Sequence, residues 1–333
     1  MRTSRTAKGV TACLAVIALA AGCSGSGGKD DEDGSGDGGG GGKGVDTPRL
    51  KIAMVTHSGE GDTFWDIVRS GAKQAARKDN VEFLYANDKE AKGQAELVQS
   101  FVDKKVDGIV VTLAKPEAMR SVLSKAGAAG IPVVTINAGG EFSEKFGALS
   151  HIGQDESVAG EAVGDELDRR GKKKTLCVIH EQGNVSLEQR CAGVKKSFGG
   201  SVENLNVEGT NAPASESSIS AKLQATKDID AVVTLGAPIA AYSVKAKKDT
   251  GSKAEVDTFD LNAEVVKRLK AEEVGFAVDQ QPYLQGYQAV DLLWLYKTNA
   301  NVLGGGKPVL TGPAIVTGKD VPKLEKYTAR GTR

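Results

Sequence analysis

The chain carries no surplus of charge. Its 43 Lys and Arg balance 43 Asp and Glu, so the basic footprint that nucleic-acid binding demands is missing. Histidine is scarce: His57, His151 and His180 are the three, and none stands at metal-ligand spacing from another. No phosphate loop occurs, because "GGGKPV" (304–309) lacks the hydroxyl residue and the spacing. No dinucleotide glycine fingerprint follows the first apolar run, where "HSGEGD" stands instead. No nucleophile elbow supports any Ser/His/Asp grouping. These absences point away from nucleotide, metal and nucleophilic chemistry, and the chain reads as a non-enzyme that uses neither metal nor cofactor. Aromatics are also sparse, at two Trp, six Tyr and eight Phe. A pair of large rings in an exposed-looking place therefore calls for a reason.

The N-terminal segment reads as an address. "MRTSRTAKG" supplies Arg2, Arg5 and Lys8, the apolar run "VTACLAVIALAAG" follows, and Cys23 comes next. A basic start, a short apolar stretch and small residues mark a secretory signal. The run is shorter than the roughly 20 apolar residues of a spanning helix, and no later run approaches that length. "LAAGC" resembles a bacterial lipobox, with Ala20 where Leu is usual and Leu19 one place earlier. That resemblance implies a signal peptide over residues 1–22 and a diacylglycerol anchor on Cys23. Residues 23–48 are dominated by Gly, Ser and Asp and bury almost nothing, which makes them a flexible tether. The expected location is the outer face of the cell membrane.

The body, from residue 49 to about 330, has room for two ordinary domains. Two cysteines, Cys177 and Cys191, fall in it. In an exported body they are either a disulfide or two buried thiols. Short apolar runs alternate with longer amphipathic ones. The strand-like runs are 50–56, 81–86, 108–113 and 132–137, and the series restarts past Ser150 with 175–180, 202–207, 230–235, 255–260 and 275–280. Continuous apolar strands alternating with helices argue for parallel sheets covered on both faces. Two series argue for an α/β fold of two doubly wound lobes.

In such sheets ligands bind beyond the carboxyl ends of the strands. The exits hold His57 to Glu60 and Asp62 to Trp65, Asn137 with two glycines, His180 to Asn184, Gly236 to Pro238, Asp260 and Asn262, and Gln280 to Pro282. Amides and carboxylates suit hydroxyl groups, since each binds and orients an O–H. The set favours an uncharged polyhydroxy ligand. At the first exit, "GDTFWDIVRSGAKQAARK" (61–78) puts Phe64 beside Trp65. Helical spacing aligns Phe64 with Val68, Ala72 and Ala75 as core, leaving Trp65 as the ring platform. Thr63 and Asp66 have the form of a capping box.

Longer stretches resemble the type I periplasmic sugar-binding proteins, the ribose- and galactose-binder group. They are "KIAMVTHSGEGDTFWDIVRSGAKQAA", "DGIVVTLAKPEAM", "AAGIPVVTIN", "SHIGQDESVAGEAVGDEL", "GNVSLEQRCAGV" and "DQQPYLQGYQAVDLL", collinear over most of residues 50–316. The resemblance implies two lobes joined by three crossings near 150–153, 281–282 and 310–312. One lobe takes residues 49–150 with 283–310, the other 151–282 with 311–330. It implies a monomer that clamps a sugar or polyol by hinge closure and delivers it to the permease of an ABC importer. The alternative on the same frame is a sensor that presents its ligand to a membrane receptor. Carried over by position, ligand contacts fall on His57, Asp62, Phe64, Trp65, Asn137, Glu188, Arg190, Asp260 and Gln280. Ala138, Leu113 and Gly236 stand where ribose binders have polar contacts, so ribose itself is not implied.

Overall fold

The computed structural model describes residues 47–59 and 62–333. The signal peptide, Cys23 and nearly all of the expected tether lie outside the described residues. The first series runs β1 (Lys51–Thr56), α1 (Thr63–Lys78), β2 (Glu82–Asn87), α2 (Ala91–Asp103), β3 (Gly108–Thr112), α3 (Pro116–Ala128), β4 (Val133–Ile136), α4 (Gly140–Ser143) and β5 (Ser150–Gly153). The second runs α5 (Glu156–Arg169), β6 (Lys174–Ile179), α6 (Val185–Ser197), β7 (Ser201–Asn206), α7 (Ala212–Ala225), β8 (Ala231–Thr234), α8 (Ala237–Thr250), β9 (Glu255–Phe259), α9 (Ala263–Lys270) and β10 (Ala277–Asp279). The chain then returns to the first lobe with α10 (Pro282–Asn299) and β11 (Val309–Leu310). It re-enters the second lobe with β12 (Ala314–Val316) and α11 (Val321–Ala329).

The two sheets have matching orders, β11-β5-β4-β3-β1-β2 and β12-β10-β9-β8-β6-β7. All pairings are parallel except that of β12 with β10. The β-branched runs of β3, β4 and β8 are buried at every residue, as central parallel strands require. Successive side chains of a strand go to opposite faces, and β1 shows it. Ile52 and Met54 pack with Val68, Val290 and Leu293 under α1 and α10, while Ala53 and Val55 pack with Val98, Met119 and Leu123 under α2 and α3. In the second lobe Leu176 and Val178 join the α7–α9 side, and Cys177 and Ile179 the α5–α6 side. Cys177 thereby meets Cys191 of α6, and a disulfide joins them with Cα atoms 6.0 Å apart.

Two helix pairs pack unusually close. A Cβ on Gly71 or Gly286 would strike backbone of the facing helix in the α1–α10 pair, and Gly160 and Gly193 play the same part between α5 and α6. The helix entries are set by short polar side chains. Asp62 caps α1 by accepting from Phe64 N, and Asp155, Asn184 and Asn262 cap α5, α6 and α9. The capping residue of α1 is thus Asp62 and not Thr63, one place earlier than the sequence pattern predicts.

The lobe passage expected at 150/151 falls later. Residues 150–153 form β5, paired with Val134–Ile136 of the first sheet, so the chain crosses after Gly153. The strand is hard to read because Ser150 and His151 interrupt its apolar run. His151 is nevertheless buried, with Nδ1 3.0 Å from Thr135 Oγ1. The other crossings follow β10 at Gln280 and β11 at Thr311, the latter with a cis Gly312–Pro313 bond.

Candidate ligand-binding cleft

The carboxyl ends of both sheets open onto one cleft of about 640 Å³. At its hinge end three side chains link the lobes. Asn137 Nδ2 donates to Gln280 Oε1 at 3.0 Å, and Gln280 Nε2 donates to Asp260 Oδ1 at 2.6 Å. Gln285 Nε2 also donates to Gln280 Oε1, at 2.9 Å, which fixes the amide orientation. Asn137 and Asp260 leave β4 and β9 with φ of 62° and 69°. That left-handed region admits Asn and Asp more readily than other side chains. Local backbone and site chemistry therefore ask for the same residue types.

Arg190 is 3% exposed and borders the cleft from α6. It is held from behind by Glu156, the first residue of α5. Arg190 Nε donates to Glu156 Oε2 at 2.6 Å and a second nitrogen donates to Oε1 at 3.0 Å. A third nitrogen donates to the Leu235 carbonyl, and the guanidinium lies over the Phe259 ring. Gln154, in the first crossing, donates to the same Glu156 carboxylate. Burial opposes the charge on Arg190, but Glu156 and then Asp260 hold its pKa above the ordinary value.

Two carboxyl groups face the cleft in an environment that resists their ionisation. Burial pushes Asp260 up to about 7, with Arg190 pulling it part of the way back. Burial likewise pushes Asp62 up to about 6. Each is therefore ready to gain from a hydroxyl donor that favours the charged form.

The first lobe brings rings. Trp65 packs edge-on against His57 and against Phe64, with ring centroids 5.0 and 5.1 Å away. His57 Nδ1 lies 2.8 Å from Thr112 Oγ1. That hydroxyl already accepts from His57 N and Gln94 Nε2, so its own proton goes to Nδ1. His57 then carries its proton on Nε2, 3.7 Å from the Glu181 carboxylate of the other lobe. Burial holds the ring neutral by lowering its pKa.

His57, Asp62, Phe64, Trp65, Asn137, Arg190, Asp260 and Gln280 all border this cleft. Glu188 does not. It is exposed on α6, because two helical steps of about 100° turn it away from the face that presents Arg190. The two rings also exchange parts. Trp65 is 5% exposed and belongs with Val68, Ala72 and Ala75 in the core, whereas Phe64 is only partly buried. His180, Glu181 and Asn184, read only as strand-exit residues, line the cleft as well. Lys115 reaches Glu181 at 3.4 Å across it. Glu156 had no signal of its own, since its role depends on α5 packing against α6.

Two doubly wound lobes, three crossings and a polar cleft between strand ends define a ligand clamp. The family model described as a periplasmic binding protein domain matches residues 52–300, and the chain belongs to that family. A solved carbohydrate transporter from Acidothermus cellulolyticus, in complex with myo-inositol, is 48% identical with a TM-score of 0.85. That match covers 86% of this chain and 100% of the other. An ABC transporter solute-binding protein from Burkholderia graminis, in complex with D-arabinose, is 23% identical with a TM-score of 0.75, covering 83% and 98%. A glucose-galactose binding protein from Geobacillus stearothermophilus is 21% identical with a TM-score of 0.74, covering 83% and 100%. The last two show likeness of fold. No curated protein sequence matches the chain.

Proposed function

We propose that the protein captures an uncharged polyhydroxylated ring, a sugar or a cyclitol, outside the cytoplasm and delivers it to an ABC importer. The observation that carries this reading is the Asn137–Gln280–Asp260 link. It places amide and carboxylate groups from both lobes where ring hydroxyls can replace the contacts they make with one another. Burying hydroxyls costs free energy unless each is paired, and this end of the cleft is rich in partners. Phe64 offers an apolar face for the C–H side of the ring, and Arg190, neutralised by Glu156, supplies donors without net charge. myo-Inositol, bound by the 48% identical Acidothermus protein, is the first compound to try.

On this reading the nine residues carried over from the family reduce to eight contacts, without Glu188. Cys23 carries a diacylglycerol, and residues 24–48 tether a monomeric body to the outer face of the membrane. Thermal unfolding with a panel of sugars, polyols and nucleosides tests the function. At least one sugar or cyclitol raises Tm and is recovered unchanged. No shift with any member ends the proposal, and turnover of the ligand replaces it with an enzyme.

A further inference from the structure

We propose that the cleft holds a ligand of two parts. A polyhydroxylated ring sits in the hinge-side compartment, and a second sugar ring sits in an outer compartment built mainly by the second lobe. This rests on the binding-protein reading above and deepens it from a sugar or cyclitol to its glycoside.

The first observation is length. Asp260 leaves β9, and Asn206 to Thr210 leave the end of β7, three strands further out in the order β9-β8-β6-β7. Asp260 and Thr210 border the same cleft. At about 4.8 Å per strand step the floor runs roughly 14 Å, which exceeds the width of one sugar ring.

The second observation is a change of chemistry along that floor. At the hinge the wall is buried amide, carboxylate and guanidinium. Further out Pro238, Ile239 and Tyr242 of α8 and Ala214 of α7 add apolar surface among polar groups that include Lys115, Glu181 and Glu208. Tyr242 is half-buried and rests on the α7–α9 core. An aromatic face with a phenol at its edge suits a second sugar ring, and Glu208, which also borders the cleft, suits that ring's hydroxyls. The third observation is a rim contact. A Cβ on Gly59 of the first lobe would lie 3.2 Å from Thr210 Cγ2 of the second. The lobes meet there, so the outer compartment lies inside their contact.

Titration calorimetry separates the two levels of the reading. myo-Inositol, D-galactose and D-glucose are compared with galactosyl-myo-inositol, melibiose and maltose. One two-ring compound is expected to bind at least tenfold tighter than its single-ring parent. Ala214→Trp, an exposed change that fills the outer compartment, should erase that gain and leave the single-ring affinity within twofold. Tyr242→Ala should act in the same direction. Two-ring compounds that bind no tighter than the rings, or a gain that survives Ala214→Trp, overturn the two-part ligand and leave the single-ring function standing. Failure of every ring, single or double, overturns the binding function itself.

Discussion

Taken outward from the hinge, the strand exits of the first lobe read Gln154, Asn137, Leu113 and His57. Those of the second read Gln280, Asp260, Leu235 and His180. The helices correspond as well. Asp62 and Asn184 cap α1 and α6, and Gly71 and Gly286 match Gly193 and Gly160 at the close helix contacts. On this shared frame the walls of the cleft differ in kind. Val68 stands where the second lobe has Arg190, and Pro282 where it has Glu156. Phe64 and Trp65 stand where it has Ser186 and Leu187. At these matching positions one lobe supplies rings and the other supplies charge. A ring-shaped ligand with an apolar face and polar edges is satisfied only when both walls meet it, so the asymmetry ties binding to closure.

The largest break in this comparison comes from the charged wall. Arg190→Ala strands the Glu156 carboxylate in a buried site, and we expect a loss of about 3–5 kcal/mol together with loss of binding. Val68→Ala, at the matching position, should cost about 2 kcal/mol of packing and leave binding intact. Denaturant unfolding with ligand titration checks both. Equal effects at the two positions would remove the distinction.

Next come the rings. Trp65→Ala should cost about 3–5 kcal/mol as a core truncation. Phe64→Ala should cost no more than about 1 kcal/mol, because part of the ring is already exposed, yet remove most of the affinity. The reverse ranking in thermal unfolding and calorimetry would restore Trp65 as the platform.

Asp260→Asn sharpens the contrast between the paired exits. An elevation from 3.8 to about 7 marks a carboxylate that resists burial, at about 1.4 kcal/mol per pH unit. The ligand-free variant should be more stable at pH 8 by on the order of 1 kcal/mol, and the ligand-induced rise in Tm should vanish. Asn137→Asp should do the opposite to stability, since an ionised carboxylate cannot donate to Gln280 Oε1. A destabilised Asp260→Asn protein would contradict the account.

The smallest effect is in pH. Asp62 and Asp260 have folded pKa values above their unfolded ones, so their stabilisation is complete below about pH 4. It is lost as pH rises through about 6 and 7. Ligand hydroxyls favour the ionised forms, so affinity should rise between pH 5 and pH 7.5 and level off above. Affinity that falls over that range would reverse the assigned roles.

The main frame could be read from residues because most parallel strands are apolar runs, and nine strand-like runs stand out in the chain, seven of them inside their sheets. Strands β5, β11 and β12 escaped because two to four residues, some polar, carry no period. Strand exits were legible by rule, which is why Asn137, Asp260 and Gln280 were named. Glu188 enters only by family position and is exposed, whereas the α1 stripe of Val68, Ala72 and Ala75 holds and only its first ring differs, Trp65 in place of Phe64. A stripe through Val68 can open three or four residues earlier, and spacing alone does not choose between Trp65 and Phe64. Glu156 was out of reach because its partner lies 34 positions away on another helix.

Titration calorimetry of wild-type protein with myo-inositol at pH 6.5, in two buffers of different ionisation heat, tests the clamp most directly. One site per chain, release of protons on binding, and loss of both in Asp260→Asn are expected. Binding without proton release, unchanged in Asp260→Asn, would contradict this expectation.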